Sequence, residues 1–329
     1  MYFCVPSECY RQQSHLNYHH PITITLPIPM IDMKSNFLLK ATGTLLKSST
    51  ALLKSTMALL LCSAPFTSMA QRQAPVRGES FSFTTSAQKI EMKLRVTSAP
   101  VPWIDLNADR ICAQEEMAVA VQEEGYGVYW LLAKDLPQPG SYTVYAQDLN
   151  ELSCELNQLE ALDVTACSAL SKLDCSHNYL SALNVTQNPR LSELNCLHNQ
   201  LYSLDVTRNA ALTALNCSNN QLSELNVSRN SALTVLQCGW NQLTRLDTGR
   251  NSSLTKIECV MNQLTGLYVR NNPALVELAC DFNQITVLDV SQNPALAVLS
   301  CSNNKLRGLD LSNNPALTEV DYSDNPFSR

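Results

Sequence analysis

Residues 212–232 read LTALNCSNNQLSELNVSRNSA, and this 21-residue sentence is written nine times over residues 149–329. Leucine opens each copy in strict register, at Leu149, Leu170, Leu191, Leu212, Leu233, Leu254, Leu275, Leu296 and Leu317, with no insertion between copies. The unit is L-x-x-L-x-C-x-x-N-x-L followed by x-x-L-D-V-x-x-N-x-A. One copy has too few apolar side chains to bury a face of its own, so the copies stack and a single core runs along the stack. The copies are numbered coils 1 to 9, and positions within a coil run from 1 to 21.

Alternation around position 4 predicts a short strand whose positions 4 and 6 point inward. Position 4 is Leu152, Leu173, Leu194, Leu215, Leu236, Ile257, Leu278, Leu299 and Val320; position 6 is cysteine from Cys154 to Cys301 in eight successive coils. Stacked parallel strands hold such thiols roughly 4.8 Å apart and pointing the same way, a poor disulfide geometry. A one-dimensional ladder does not converge on a metal either, so these cysteines are read as small buried hydrophobes. Position 9 is asparagine in every coil, from Asn157 to Asn325. Its amide suits the backbone groups of its own turn and of the next coil.

The second half of the unit copies the first, with alternation and no helix-length period, which predicts a second short strand on the opposite side. Asn-Pro steps at Asn188, Asn272, Asn293 and Asn314 support it, because a residue before proline avoids the α region. At position 15 carboxylates alternate with neutral residues over most of the stack (Asp163, Asn184, Asp205, Asn226, Asp247, Tyr268, Asp289), which reads as relief of like-charge repulsion; Asp289 and Asp310 are the one adjacent pair.

The first half of the unit is the leucine-rich-repeat signature. Over residues 149–329 the chain resembles bacterial leucine-rich-repeat proteins with nested 21-residue repeats, the internalin-like exported and surface family. The resemblance implies a mainly β solenoid of eight full repeats and a partial ninth, with short parallel strands on two faces and little helix.

Residues 1–32 resemble nothing folded and are read as a mis-called upstream extension. Residues 33–70 read as a signal peptide: Lys34 begins a positive region, MALLLCSAPF supplies an apolar stretch too short to span a bilayer, and Ser68-Met69-Ala70 offers a cleavage site. Residues 71–148 lack the repeat and alternate in short β-like runs, a small β-rich N-terminal cap for the first coil. Within them Asp105, Asn107, Asp109 and Glu116 have the spacing of a calcium loop, with Arg110 where the turn favours glycine. Calcium there is the one cofactor the sequence suggests, against a plain Asx-rich turn. Cys112 and Cys167 are candidates for a bridge between cap and solenoid.

A net charge of −6 carries no basic excess, so nucleic acid is not an expected partner. No hydrolase elbow, phosphate loop or H-E-x-x-H motif occurs, and the chain is read as a non-enzyme. His177 and His198 fall at position 8 of adjacent coils and can share a metal with Glu155 or Asp174. Arg208, Arg229 and Arg250, at position 18 of successive coils, form a basic strip that suits an acidic glycan or pairs with the carboxylates at position 15. Position 8 also carries Trp240, Met261 and Phe282 in three successive coils, an apolar stripe extended by Val260. Either these side chains pack on their own turns, or they face a partner.

From export and family the expected function is a monomeric recognition module, extracellular, at the cell surface or in the periplasm, without a transmembrane anchor in the mature chain, that binds a protein or glycan in adhesion or host contact. The alternative is a structural or truncated repeat protein without a ligand of its own.

Overall fold

The computed structural model describes residues 80–97, 100–123 and 127–327. The upstream extension and the signal peptide read from the sequence lie outside these residues. Ahead of the coils come β1 (Ser80–Thr85), β2 (Lys89–Val96), β3 (Trp103–Asp105), β4 (Val119–Glu123), β5 (Gly127–Asp135) and β6 (Gly140–Tyr145). Coil 1 contributes β7 (Leu149–Ser153) and β8 (Leu159–Asp163). The main strands of coils 2 to 5 are β9 (Lys172–Asp174), β10 (Glu193–Asn195), β11 (Ala214–Asn216) and β12 (Val235–Gln237). The remaining coils supply β13 (Lys256–Glu258), β14 (Leu267–Tyr268), β15 (Glu277–Ala279), β16 (Leu288–Asp289), β17 (Val298–Ser300) and β18 (Glu319–Asp321). Among the described residues helix is confined to a single 3-10 turn, Gln114–Glu116.

Stacking makes one long sheet in the order β18-β17-β15-β13-β12-β11-β10-β9-β7-β2-β5-β4. From β7 to β18 the strands are parallel and in register, Leu194 beside Leu215 beside Leu236 and so on. Both inward columns are buried, leucine at position 4 and cysteine at position 6. Burial pushes the Cys217 and Cys301 thiols up to about 12 and the other ladder thiols well above their ordinary value, so all remain protonated.

The cap continues this sheet instead of merely covering its end. β2 pairs antiparallel with β7, Leu94 against Leu152, and β1 pairs antiparallel with β8, Phe83 against Leu162. Phe81, Phe83, Ile90, Met92, Leu94, Ile104, Leu132 and Val144 join the leucine columns in one core. Polar groups are matched too. The Asn157 amide, which has no preceding coil to bond, donates to the Glu91 carbonyl at 2.7 Å while its oxygen accepts the Glu91 N–H at 2.7 Å.

Elsewhere the position 9 amides reach back to the preceding coil, not forward to the next. Asn220 Nδ2 donates to the carbonyls of Cys196 and Cys217, and its Oδ1 accepts the Leu201 N–H. A second asparagine ladder stands at position 19. Asn209 Nδ2 donates to the Val185 and Asn188 carbonyls at 2.9 and 2.8 Å.

The second strand is real only in part. Among the described residues of coils 2 to 9 it forms a ladder where β14 meets β16, with a single bridge from Tyr268 to Asp247. Position 15 explains the difference. In the other coils its side-chain oxygen accepts the N–H two residues on, as Asp205 does from Thr207 at 2.9 Å and Asn184 from Thr186 at 3.1 Å, which bends the chain into a turn. Tyr268 has no such acceptor, and both the ladder and the bridge form around it, with Asp289 and Asp247 keeping their turn bonds. The alternation of Asp and Asn is therefore turn chemistry, which both residues satisfy, before it is charge relief.

Candidate interaction surface

Each main strand leaves the sheet through positions 6 to 9, and backbone bonds between coils continue through position 8. The His198 N–H donates to the Ser218 carbonyl at 3.0 Å, that of Trp240 to Val260 at 2.8 Å and that of Met261 to Asp281 at 2.9 Å. Position 8 is therefore held in register with the strands. It is also left-handed in all nine coils, with φ between 52° and 59° from Leu156 to Asp324. That conformation lets the chain turn so that the asparagine at position 9 can point inward. Asn, Asp and His tolerate it; a bulky apolar side chain there costs roughly 1 kcal/mol or more.

Five of the nine residues in the column are His177, His198, Asn219, Asn303 and Asp324, as the conformation favours. Leu156 of coil 1 is not, and neither, in three successive coils, are Trp240, Met261 and Phe282. They do not fold away over their turns either: Trp240 is 47% exposed and Phe282 51%, while Met261 between them is half-buried. Val260 at position 7 is half-buried beside them. Gly239 leaves room for it, because a Cβ there would lie 3.0 Å from Val260 Cγ2 and 3.2 Å from its carbonyl oxygen. Gly239 is itself buried and shapes the surface only by admitting Val260; it was missed from sequence, where a glycine flanked by cysteine and tryptophan in a column of larger residues was the available signal.

Position 3 of the same face is an ionic ladder. Arg95 of the cap meets Glu151 at 3.2 Å, Lys172 meets Glu193 at 2.7 Å, and Lys256 meets Glu277 at 2.6 Å. Between these pairs Ala214 and Val235 carry no charge.

Other sequence candidates are placed differently. His177 and His198 stack with ring centroids 5.0 Å apart, and the Asn219 amide lies 2.8 Å from His198 Nδ1. Burial, then the neighbouring imidazole, lowers the His198 pKa. Asp174 is engaged by Ser176 and by Asn195 Nδ2, so it is not poised beside the rings as a metal ligand. Among the described residues no three His, Cys, Asp or Glu side chains converge as metal ligands would.

Arg208, Arg229 and Arg250 are exposed, and none pairs with position 15. Among the described residues that ion pair is made by Arg270 to Asp289. In the cap loop Arg110 takes the left-handed conformation, φ 60°, that the calcium-loop spacing assigns to glycine. There Asp105 Oδ2 accepts the Arg110 N–H at 3.2 Å, Asn107 and Asp109 bond one another, and the buried Glu116 accepts the N–H groups of Leu106 and Ala113 at 2.9 and 2.8 Å. Cys112 and Cys167 do not bridge one another: Cys167 is buried with Sγ 3.6 Å from the Ser80 carbonyl, and Cys112 lies in the cap loop with Sγ 3.8 Å from the Ala113 carbonyl. The clamp between cap and coil 1 is thus strand pairing and not a disulfide.

No protein-family model matches the chain, and no curated protein does. Among solved structures it is similar to the functional domain of InlJ from Listeria monocytogenes, described as including a cysteine ladder, with 38% identity over 55% of this chain and 43% of that one and a TM-score of 0.53. It is also similar to a leucine-rich-repeat protein of Leptospira interrogans, at 25% identity over 49% of this chain and 45% of that one, TM-score 0.47. An internalin of L. monocytogenes, inlF, matches at 16% identity over 55% of this chain and 82% of that one, TM-score 0.32. The chain thus spans less than half the length of the InlJ domain. Its stacked 21-residue coils, asparagine turns and buried thiol column make it a leucine-rich-repeat solenoid, similar over those coils to the InlJ functional domain and, like it, built on a cysteine ladder.

Proposed function

We propose that the chain is an exported recognition module that holds a protein partner against the outer face of its long sheet, at a cell surface, with Trp240, Met261 and Phe282 as the anchor. The carrying observation is that three successive coils place bulky apolar residues in a left-handed position that disfavours them, and leave two of the three half exposed. A stripe that costs backbone energy and gains little burial is explained by what it does when covered. Tryptophan is enriched among binding hot spots, and stacking sets the three side chains roughly 5 Å apart, close enough to act as one patch.

Export is supported by the signal-like residues 33–70 and by the resemblance to surface proteins. Among the described residues no helix is long and apolar enough to cross a membrane. The reading is of a binding scaffold, not an enzyme, because the polar groups of the coils are spent on turns and ladders. Adhesion is the activity it suits. The test is capture of surface proteins from host or neighbouring cells on the immobilised protein. Trp240→Ala is expected to weaken retention by about 2 kcal/mol or more with the melting temperature nearly unchanged. A large fall in melting temperature with retention intact would instead assign the stripe to packing.

A further inference from the structure

The outer face of the long sheet is defined by positions 3, 5, 7 and 8 of each coil. Over the nine coils these positions carry ten carboxylates and two lysines, whereas all other positions together carry seven carboxylates and nine basic residues. An acidic chain needs no such segregation. If the charge of −6 served only solubility, it would be spread over both sides.

Both lysines on the face are already paired, Lys172 with Glu193 and Lys256 with Glu277, so neither offsets the remaining acids. The charges are also sorted along the stack. Coils 4, 5 and 8 have none on this face, and the adjacent pair, coils 4 and 5, presents Ala214 and Val235 at position 3 and Trp240 at position 8. Acidic residues other than those two glutamates lie on both sides of that centre, among them Glu155 and Asp174 in earlier coils and Glu258 in a later one. An apolar centre rimmed by charge is how protein interfaces divide, the centre supplying affinity and the rim steering and register.

Building on the recognition reading, we infer that the partner is a protein surface bearing lysine or arginine around an apolar side chain, which seats on Trp240 while the cations face the flanking carboxylates. The same field repels acidic glycans and anionic membranes from this face, so the exposed arginines at position 18 are not part of it.

Selection of random 12-residue peptides displayed on phage, against the whole immobilised protein, tests this. Enriched peptides are expected to carry Lys or Arg on both sides of an apolar residue, and to lose about tenfold in affinity between low and moderate salt. Combined Glu155→Gln and Glu258→Gln should weaken them by about tenfold. The control pair Asp205→Asn and Glu224→Gln, on the other side of the coils, should leave them unchanged, and a melting curve for each variant shows that it folds. Enrichment of acidic or uncharged peptides, or equal effects of face and control variants, would overturn the charge inference while leaving the recognition reading standing if those peptides still depend on Trp240. Absence of any enriched peptide, or binding indifferent to Trp240→Ala, would overturn both.

Discussion

At the scale of single residues, the position 19 asparagines show how closely neighbouring coils are fitted. Each donates twice to the preceding coil, yet the side-chain oxygens of Asn188, Asn209, Asn230, Asn251, Asn293 and Asn314 are buried without a partner. Asn272 is satisfied, because Thr248 replaces the usual valine at position 16 and its hydroxyl lies 2.9 Å from Asn272 Oδ1. A hydroxyl in that place is thus worth a hydrogen bond. Thr248→Val is expected to destabilise by about 1 kcal/mol, and Val206→Thr, which offers the same donor to Asn230, to stabilise by a similar or smaller amount. Urea unfolding midpoints measure both; unchanged stability in Thr248→Val would show that the orphaned oxygens cost nothing and that water reaches them.

At the scale of the element, the turn at position 15 responds to pH. The hydrogen bonds from Ser291, then the Arg270 guanidinium, hold the Asp289 carboxyl down from 3.8 to about 2, and turn hydrogen bonds likewise lower Asp205 and Asp310 at the same position and Asp321 at position 5 of coil 9. A depressed folded-state pKa gives stability that is complete above the unfolded value and lost as pH falls through the folded one. Acid should therefore loosen these turns between about pH 4 and pH 2, where circular dichroism can follow them. Asp289→Asn and Asp310→Asn keep the acceptor and should flatten that limb of the stability curve; an unaltered curve would move the acid sensitivity elsewhere. The cysteine ladder makes a second prediction at this scale. Fully buried and protonated, its thiols should stay unmodified by iodoacetamide until the protein unfolds, while the half-buried Cys112 reacts in the native state. Mass spectrometry of native and urea-treated protein separates the two classes, and native labelling of Cys217 or Cys238 would contradict the packing.

At the scale of the whole molecule, each coil contacts only its neighbours, so stability is a sum of local units and nearest-neighbour interfaces. The two ends differ. Coil 1 is built into the cap through β1, β2 and the Asn157 amide, whereas all three residues of β18 are exposed and Val320 is 39% exposed where its counterparts in the coils before it are buried. Hydrogen exchange should accordingly run from the C-terminal coil inward, with the amides of Glu319–Asp321 exchanging orders of magnitude faster than those of Ala214–Asn216. Equal protection at the two places would mean that the coils open as a single unit.

Much of this was legible in the sequence, because a fixed 21-residue period leaves little to decide. Leucine and cysteine columns must point inward if identical coils are to stack, and an invariant asparagine at a strand end must satisfy backbone groups that water cannot reach. The period could not show the conformation of position 8. Its left-handed φ follows from how position 9 turns inward, and only that geometry shows Trp240, Met261 and Phe282 to be costly where they stand. Nor could composition show that Asp and Asn at position 15 do one job, since the Thr or Ser two residues on becomes their partner only when the chain bends. The antiparallel joining of β2 to β7 and β1 to β8 was beyond sequence for the same reason. Pairing between segments distant in the chain has no periodic signature, and here it depends on Leu94 and Phe83 finding Leu152 and Leu162 in the folded core.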